Sequence, residues 1–246
     1  MAGMTWAALE EEMARWRDAG RTVEFWWRDD DATAPSGPVK QLLGLSASSG
    51  VPLALAVIPL SAKPELFEGM SARVLMHGTD HRNRARDGGK KTEFPAGEDP
   101  LDRLARARER LAALAGSAFV PVLAPPWNRI RPDLVPALTS VGLRGLSGFG
   151  ARGRPRGVTE VNTHVDIIDW HATRAFCGEA AALGAALRHL AARRTGDADA
   201  GEPTGWLTHH ELHDGAAWNF LSHLFERTRR LGARWLDPAS IFTTAR

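Results

Sequence analysis

The run Val74-Leu75-Met76-His77-Gly78-Thr79-Asp80-His81 starts as three apolar residues of strand character and ends in two histidines four positions apart. A second run, Glu24-Phe25-Trp26-Trp27, delivers the chain through Arg28 into three successive carboxylates, Asp29-Asp30-Asp31. Two neutral imidazoles and a carboxylate make a three-ligand set for a divalent metal that keeps a position open for water. Either group alone has an ordinary reading. A His-x-x-x-His pair also describes two surface or capping histidines, and an Asp triplet a solvated turn. Their shared placement at the end of a β-like segment carries more weight, because catalytic residues of α/β folds collect at the carboxyl ends of strands.

Working outward from these segments, β-like and helical patterns alternate. Thr5 to Asp18 carries Trp6, Leu9, Met13 and Trp16 at helical spacing and predicts an amphipathic helix, with 1–20 packed on the main body. Val51 to Ile58 is an almost continuous apolar run, as expected of a strand buried on both faces. Helices are expected over Val39 to Leu45, Leu101 to Leu114, Asp133 to Thr139, Glu179 to Arg193 and Ala216 to Arg230. Strands are expected over Val23 to Trp27, Val74 to Met76, Phe119 to Leu123, Leu143 to Leu146, Val165 to Ile168, Trp206 to Thr208 and Arg234 to Leu236. The alternation, without repeats or low-complexity linkers, predicts one α/β domain over 1–246: a distorted (β/α) barrel of about seven strands, with an open doubly wound sheet as the alternative. No glycine-rich phosphate loop follows any strand, which disfavours nucleotide binding.

Composition narrows the function class. With 246 residues, 43% hydrophobic and 24% charged, the chain reads as an ordinary globule, and its net charge of +2 comes from cations scattered among acids. A nucleic-acid surface is not expected. The basic stretch Arg152-Gly153-Arg154-Pro155-Arg156 suits a phosphate or acidic substrate but reads first as a mobile surface loop. The single cysteine, Cys177, excludes an internal disulfide framework and reads as a buried small hydrophobe. The N-terminal stretch lacks a basic region followed by an apolar core, and no apolar run reaches membrane-spanning length, so the expectation is a cytoplasmic protein without a membrane span. Nine tryptophans and no tyrosine is an unusual split. Trp6, Trp16 and Trp235 read as core, whereas Trp170 and Trp206 flank candidate site segments and Trp127 sits between a proline pair and Asn128-Arg129; indole faces suit sugar rings and cations.

Four segments lie at predicted strand ends: Arg28-Asp29-Asp30-Asp31-Ala32, His77 to His81, Asp166-Ile167-Ile168-Asp169-Trp170, and Leu207-Thr208-His209-His210. In this order they resemble the motifs of the polysaccharide deacetylase family, the NodB-homology carbohydrate esterases: Asp-Asp, His-x-x-x-His, Arg-x-Pro-Tyr, Asp-x-x-Asp-Trp and Leu-x-His. The resemblance spans roughly Glu24 to Asp214. It departs at the third motif, where Ala124-Pro125-Pro126-Trp127 has alanine for the arginine and tryptophan for the tyrosine. It is also ambiguous by one residue at the first motif. Aligning Asp30 and Asp31 with the family's pair puts Ala32 at the small residue that follows; Asp29 and Asp30 are the fallback.

The resemblance implies the roles. Asp31, His77 and His81 would hold a divalent metal, zinc first among zinc, iron, manganese and cobalt. Asp30 would be the general base and His209 the general acid, a task that suits imidazole. Asp169 would orient His209. Trp127, Trp170, Arg129 and His210 would line the substrate groove, and Arg28 or Arg129 would replace the missing arginine. Three histidines, His209, His210 and His213, fall within five residues, and the sequence does not choose among them. The implied reaction is hydrolysis of an N-acyl amide, most simply an N-acetyl group, on a carbohydrate. An amidase or deformylase acting on a small metabolite or lipid-linked sugar, and a non-catalytic carbohydrate-binding relative, remain as alternatives.

Overall fold

A computed structural model describes residues 5–86, 88–153 and 156–243. Among these residues nine strands, all parallel, form one curled sheet: β1 (Glu24–Ala32), β2 (Leu53–Val57), β3 (Arg73–His77), β4 (Phe119–Ala124), β5 (Gly145–Leu146), β6 (Thr159–Glu160), β7 (Val165–Asp166), β8 (Thr204–Thr208) and β9 (Arg234–Trp235). The spatial order is β6-β5-β4-β3-β2-β1-β8-β7, with β9 added beside β1. The two edge strands, β6 and β7, are joined by residues 161–164 alone, so the sheet must curl until its edges come near each other. This is the expected distorted barrel, with nine strands among the described residues where about seven were expected.

Why the strands read so clearly is a matter of two-sided burial. One face packs Trp26, Ala54, Ala56, Leu75, Val122, Ala124 and Val161 into the barrel interior, closed off by Ile241 and Phe242. The other packs Phe25, Trp27, Leu53, Leu55, Val57, Val74 and Met76 under the helices. Both faces apolar gives the near-continuous hydrophobic runs typical of parallel sheets. The helices are α1 (Trp6–Asp18), α2 (Gly37–Ser49), α3 (Leu101–Ala115), α4 (Glu179–Thr195), α5 (Gly215–Arg230) and α6 (Pro238–Thr243). Side-chain caps open three of them: Thr5 accepts from Ala8 N, Ser36 from Val39 N and Asp214 from Ala217 N.

As expected, α1 packs on the body. Trp16 Nε1 donates to the Leu190 carbonyl of α4 and Glu12 pairs with Arg194 at 2.7 Å. The helix expected over Asp133 to Thr139 is instead two 3₁₀ turns, Pro132–Leu134 and Pro136–Val141, because Pro136 sits where a continuous helix needs a backbone donor. Strand β6 and helix α6 were not expected; two residues and six residues are too short for a periodic signal. No helix among the described residues is long and apolar enough to cross a membrane.

Candidate active site

The site stands on the carboxyl ends of β1, β3, β7 and β8, and begins with an irregularity in β1. Pairing with β2 runs Trp27 to Leu53, Arg28 to Ala54 and Asp29 to Leu55, then resumes at Ala32 with Val57, so β1 has one extra residue. Such a bulge re-aims side chains. By simple alternation Asp31 would follow Trp27 and Asp29 toward the helices. Asp31 instead has a left-handed backbone, φ 74°, an uncommon and strained conformation for a non-glycine residue. Its Oδ1 lies 3.1 Å from His77 Nε2 and 3.3 Å from His81 Nε2.

His77 is the last residue of β3 and is buried. Its Nδ1 is 3.0 Å from the Ala124 carbonyl. A carbonyl only accepts, so Nδ1 carries the ring proton and Nε2 presents a lone pair, the arrangement usual for a metal-binding imidazole. The turn between the two histidines is held from beneath by Glu93, a fully buried carboxylate that accepts from the Thr79 hydroxyl, Thr79 N (2.8 Å) and His81 N (3.2 Å). Gly78 is required here. Its φ is +63°, and a Cβ would sit 2.6 Å from Pro126 Cγ and closer still to the Glu93 carboxylate. Trp127 covers the outer side, its ring centroid 4.6 Å from that of His81. Asp80 is turned away: its ion pair with Arg84 holds its carboxyl down at about 2.

The donor set fits a divalent cation. Asp31 Oδ1 is buried and has no hydrogen-bond partner, although two imidazole nitrogens stand beside it; a buried polar atom left this way calls for an ion or water. Burial would raise the Asp31 carboxyl, but the imidazoles around it, His77 first and then His209 and His81, hold it well below the usual range. Burial, with the charge of His77, pushes His81 down, toward the neutral form that a ligand needs. Asp31, His77 and His81 are thus brought together as expected.

Asp30 is clamped from behind by Arg28. The guanidinium Nε lies 2.8 Å from Asp30 Oδ1 and NH2 donates to Oδ2 at 3.0 Å, with both side chains buried. Arg28 also donates to the Ser147 carbonyl and hydroxyl, each at 2.7 Å, and to Asn128 Oδ1 at 2.7 Å. Of the two arginines considered from the sequence, Arg28 is the one that meets the Asp30 carboxylate, from two residues before it on β1. Arg129 is exposed and donates to the Lys91 carbonyl at 2.9 Å.

His209 follows β8. Its Nδ1 lies 3.9 Å from Asp166 Oδ1, and the edge of its ring meets Trp170 at 4.7 Å between centroids. Trp170 Nε1 in turn donates to Asp166 Oδ2 at 2.7 Å. The expectation for Asp169 is corrected by this geometry. Asp169 lies beyond the end of β7, accepting from His171 N and Ala172 N in a turn; Asp166, still on the strand, is the carboxylate beside His209. His210 is corrected as well. It is buried behind the site with Nδ1 2.5 Å from Asp29 Oδ1, so it does not face a substrate. Asp29 also accepts from the Thr208 hydroxyl at 2.6 Å. That places Asp29 under the site and favours Asp30 and Asp31 as the working pair. His213, pushed down to about 4 by burial, packs edge-on against Trp218.

Glu93 and Asn128 had no signal in the sequence. Glu93 sits in a polar loop and becomes visible only when that loop folds under Gly78.

A second histidine group, His164, His189 and Glu202, lies at the opposite ends of the strands. The Gly205 N–H donates to His164 Nδ1 at 3.0 Å, which puts that ring's proton on Nε2, the atom 3.4 Å from Glu202 Oε2. A metal would need that ring stripped of both protons, so the group is a buried support for the start of β8. Cys177 is half-buried and its thiol is pushed up to about 11, first by burial and then by Asp166, which makes it unreactive.

No family model matches the sequence, and no curated protein matches it. Solved structures do match. The peptidoglycan N-acetylglucosamine deacetylase Bc1960 superposes over 90% of this chain and 89% of its own, with TM-score 0.58 and 17% identity. A family 4 carbohydrate esterase from Streptomyces lividans, in complex with acetate, covers 86% of this chain and 90% of its own, with TM-score 0.53 and 16% identity. The chain has the family 4 carbohydrate esterase fold. A family 4 acetyl xylan esterase from Clostridium thermocellum, in complex with a cobalt ion, matches over 89% of this chain and 90% of its own, with TM-score 0.53 and 13% identity. The resemblance read from the motifs thus holds at the level of this esterase fold.

Proposed function

We propose that this chain hydrolyses an N-acyl amide, most simply an N-acetyl group, on a carbohydrate. The observation that carries this reading is the convergence, on one strand-end surface, of a three-donor set (Asp31, His77, His81) with an arginine-clamped carboxylate on one side and a carboxylate-backed imidazole on the other. The fold shared with carbohydrate deacetylases and esterases supports it.

Asp31, His77 and His81 would hold a divalent cation, with zinc the first choice for two imidazoles and a carboxylate. Such a cation lowers the pKa of water and polarises an acyl carbonyl. Asp30 takes a proton from the attacking water, and Arg28 keeps its carboxylate from rotating away. As the C–N bond breaks and the new C–O bond remains, His209 gives a proton to the departing nitrogen. Asp166 and Trp170 hold the His209 ring in the orientation for that transfer. Trp127 and Trp170 wall the opening, where the sugar ring would stack.

Metal-loaded protein should release acetate and free amine in equal amounts from N-acetylglucosamine oligomers. Asp30→Asn and His209→Ala should each lower turnover by about 10²–10⁴-fold with metal content intact. No acetate from protein holding stoichiometric metal would reject the reading.

A finer prediction separates the two carboxylates of the fourth motif. Asp166→Asn should lower turnover by roughly 10–100-fold, the usual cost of losing an orienting partner, while Asp169→Ala, whose side chain is engaged in a local turn away from His209, should stay within about twofold. Comparable losses in both variants, measured at saturating substrate, would return Asp169 to the role given it by the sequence.

A further inference from the structure

Beside the metal-binding turn runs a groove of about 770 Å³ that the mechanism does not use. Its near end is built by Pro125 and Asn128, on either side of Pro126 and the Trp127 that covers His81, and Asn128 is also the residue that receives Arg28. The groove therefore opens next to the proposed reaction centre. Its lining is uneven in charge: Lys90, Arg129, Arg131 and Arg156 against one acid, Glu160.

Two of these cations are already neutralised. Arg131 pairs with Asp133 at 3.0 Å and Arg156 with Glu160 at 2.9 Å. Arg129 is exposed, and its one partner among the described residues is the Lys91 carbonyl, which leaves its charge uncompensated. Lys90 is exposed and has no acidic partner among the described residues. The same groove has apolar lining, with Phe149 about half exposed (49%).

The walls are braced. Arg131 donates to the Pro95 and Glu98 carbonyls at 2.7 and 2.6 Å, and Asn162 Oδ1 accepts from Gly148 N at 2.7 Å. The basic stretch is anchored too, Arg152 by Asp199 at 2.6 Å and Arg156 by Glu160, so its described part is not the mobile loop expected; Arg154 and Pro155 lie outside the described residues.

We infer that this groove binds an anionic group, a phosphate or carboxylate, carried by the carbohydrate substrate, with Arg129 and Lys90 supplying the contacts and Phe149 stacking on a sugar ring. Charge-assisted hydrogen bonds from a guanidinium are the strong kind. An aromatic face beside them suits a sugar better than a bare anion. The inference deepens the proposed function by naming its substrate class and rests on that reading for the word substrate. Its test does not require turnover.

Glucose 1-phosphate, glucuronate and neutral glucose, none of which carries an acyl group, are titrated into the metal-loaded wild-type protein and into Lys90→Ala/Arg129→Ala by calorimetry. In about 20 mM salt the wild type should bind at least one of the two anionic sugars about 10-fold or more tighter than glucose, and the gain should shrink as salt is raised toward 0.5 M. The double variant, whose two changes are on the surface and should leave its melting temperature unchanged, should lose the gain. Binding of both anions assigns a general acidic-sugar groove, and binding of the phosphate alone assigns a sugar phosphate. Equal affinity for charged and neutral sugars overturns the inference, as does an anionic gain that survives in the double variant, which would put the anion at the metal. If the groove passes while no acetate is released from any N-acetyl sugar, the deacetylase reading fails and the anionic groove stands.

Discussion

Replacing His77 with alanine should strip the metal and, with it, nearly all turnover. His77 is the ligand with the least freedom: buried at the end of β3, its Nδ1–H is committed to the Ala124 carbonyl and its Nε2 is aimed at Asp31. An alanine leaves Asp31 and His81, two donors where a stable site needs three. Elemental analysis should fall from about one metal per chain to a small fraction of that, because a strained left-handed Asp31 and a partly exposed His81 are a weak pair. A bound cation accounts for several kcal/mol of transition-state stabilisation, so turnover should drop on the order of 10³-fold or more. Retention of stoichiometric metal by the variant would show that the ligand set is wrong, whatever happens to the rate.

Arg28→Gln should be the most destabilising single change at the site, and it should cost activity through Asp30. The guanidinium and the Asp30 carboxylate are both buried, and Arg28 also ties β1 to Ser147 and Asn128. Removing one member of a buried pair leaves an uncompensated charge, which costs about 3–5 kcal/mol of stability. Urea unfolding should show that loss. Asp30→Leu in the Arg28→Met background should recover much of it, since an apolar pair of similar volume is often neutral in stability. Turnover should not recover with stability, because the base is gone. Recovery of activity in the double variant would remove Asp30 from the mechanism, and a stable Arg28→Gln protein would show that the clamp is not what holds β1 against the 147–148 segment.

The strand pattern was legible because parallel strands buried on both faces are written as apolar runs, and the runs ending in His77 and Asp29 point their polar residues to one end of the sheet. The unread parts share a cause. β6 is a two-residue strand, held by its neighbour β5 and not by any period of its own. In the fourth motif, Asp166 and Asp169 are equivalent in sequence. The end of β7 separates them, leaving Asp166 on the sheet beside His209 and Asp169 in a solvent-exposed turn.

The Asp triplet shows the same division. Sequence alone established that carboxylates and histidines of metal-binding type stand at strand ends, because residue type and hydrophobic run are local properties. It left the register of Asp29, Asp30 and Asp31 open, because three identical side chains in a row carry no information about direction. One extra residue in β1 and a left-handed φ at Asp31 decided it, sending Asp29 to His210 under the site, Asp30 to Arg28 and Asp31 to the histidines. That bulge is a property of how β1 pairs with β2. Like Glu93 beneath Gly78 and Asn128 beside Arg28, it joins residues distant in the chain, so only tertiary structure could decide it.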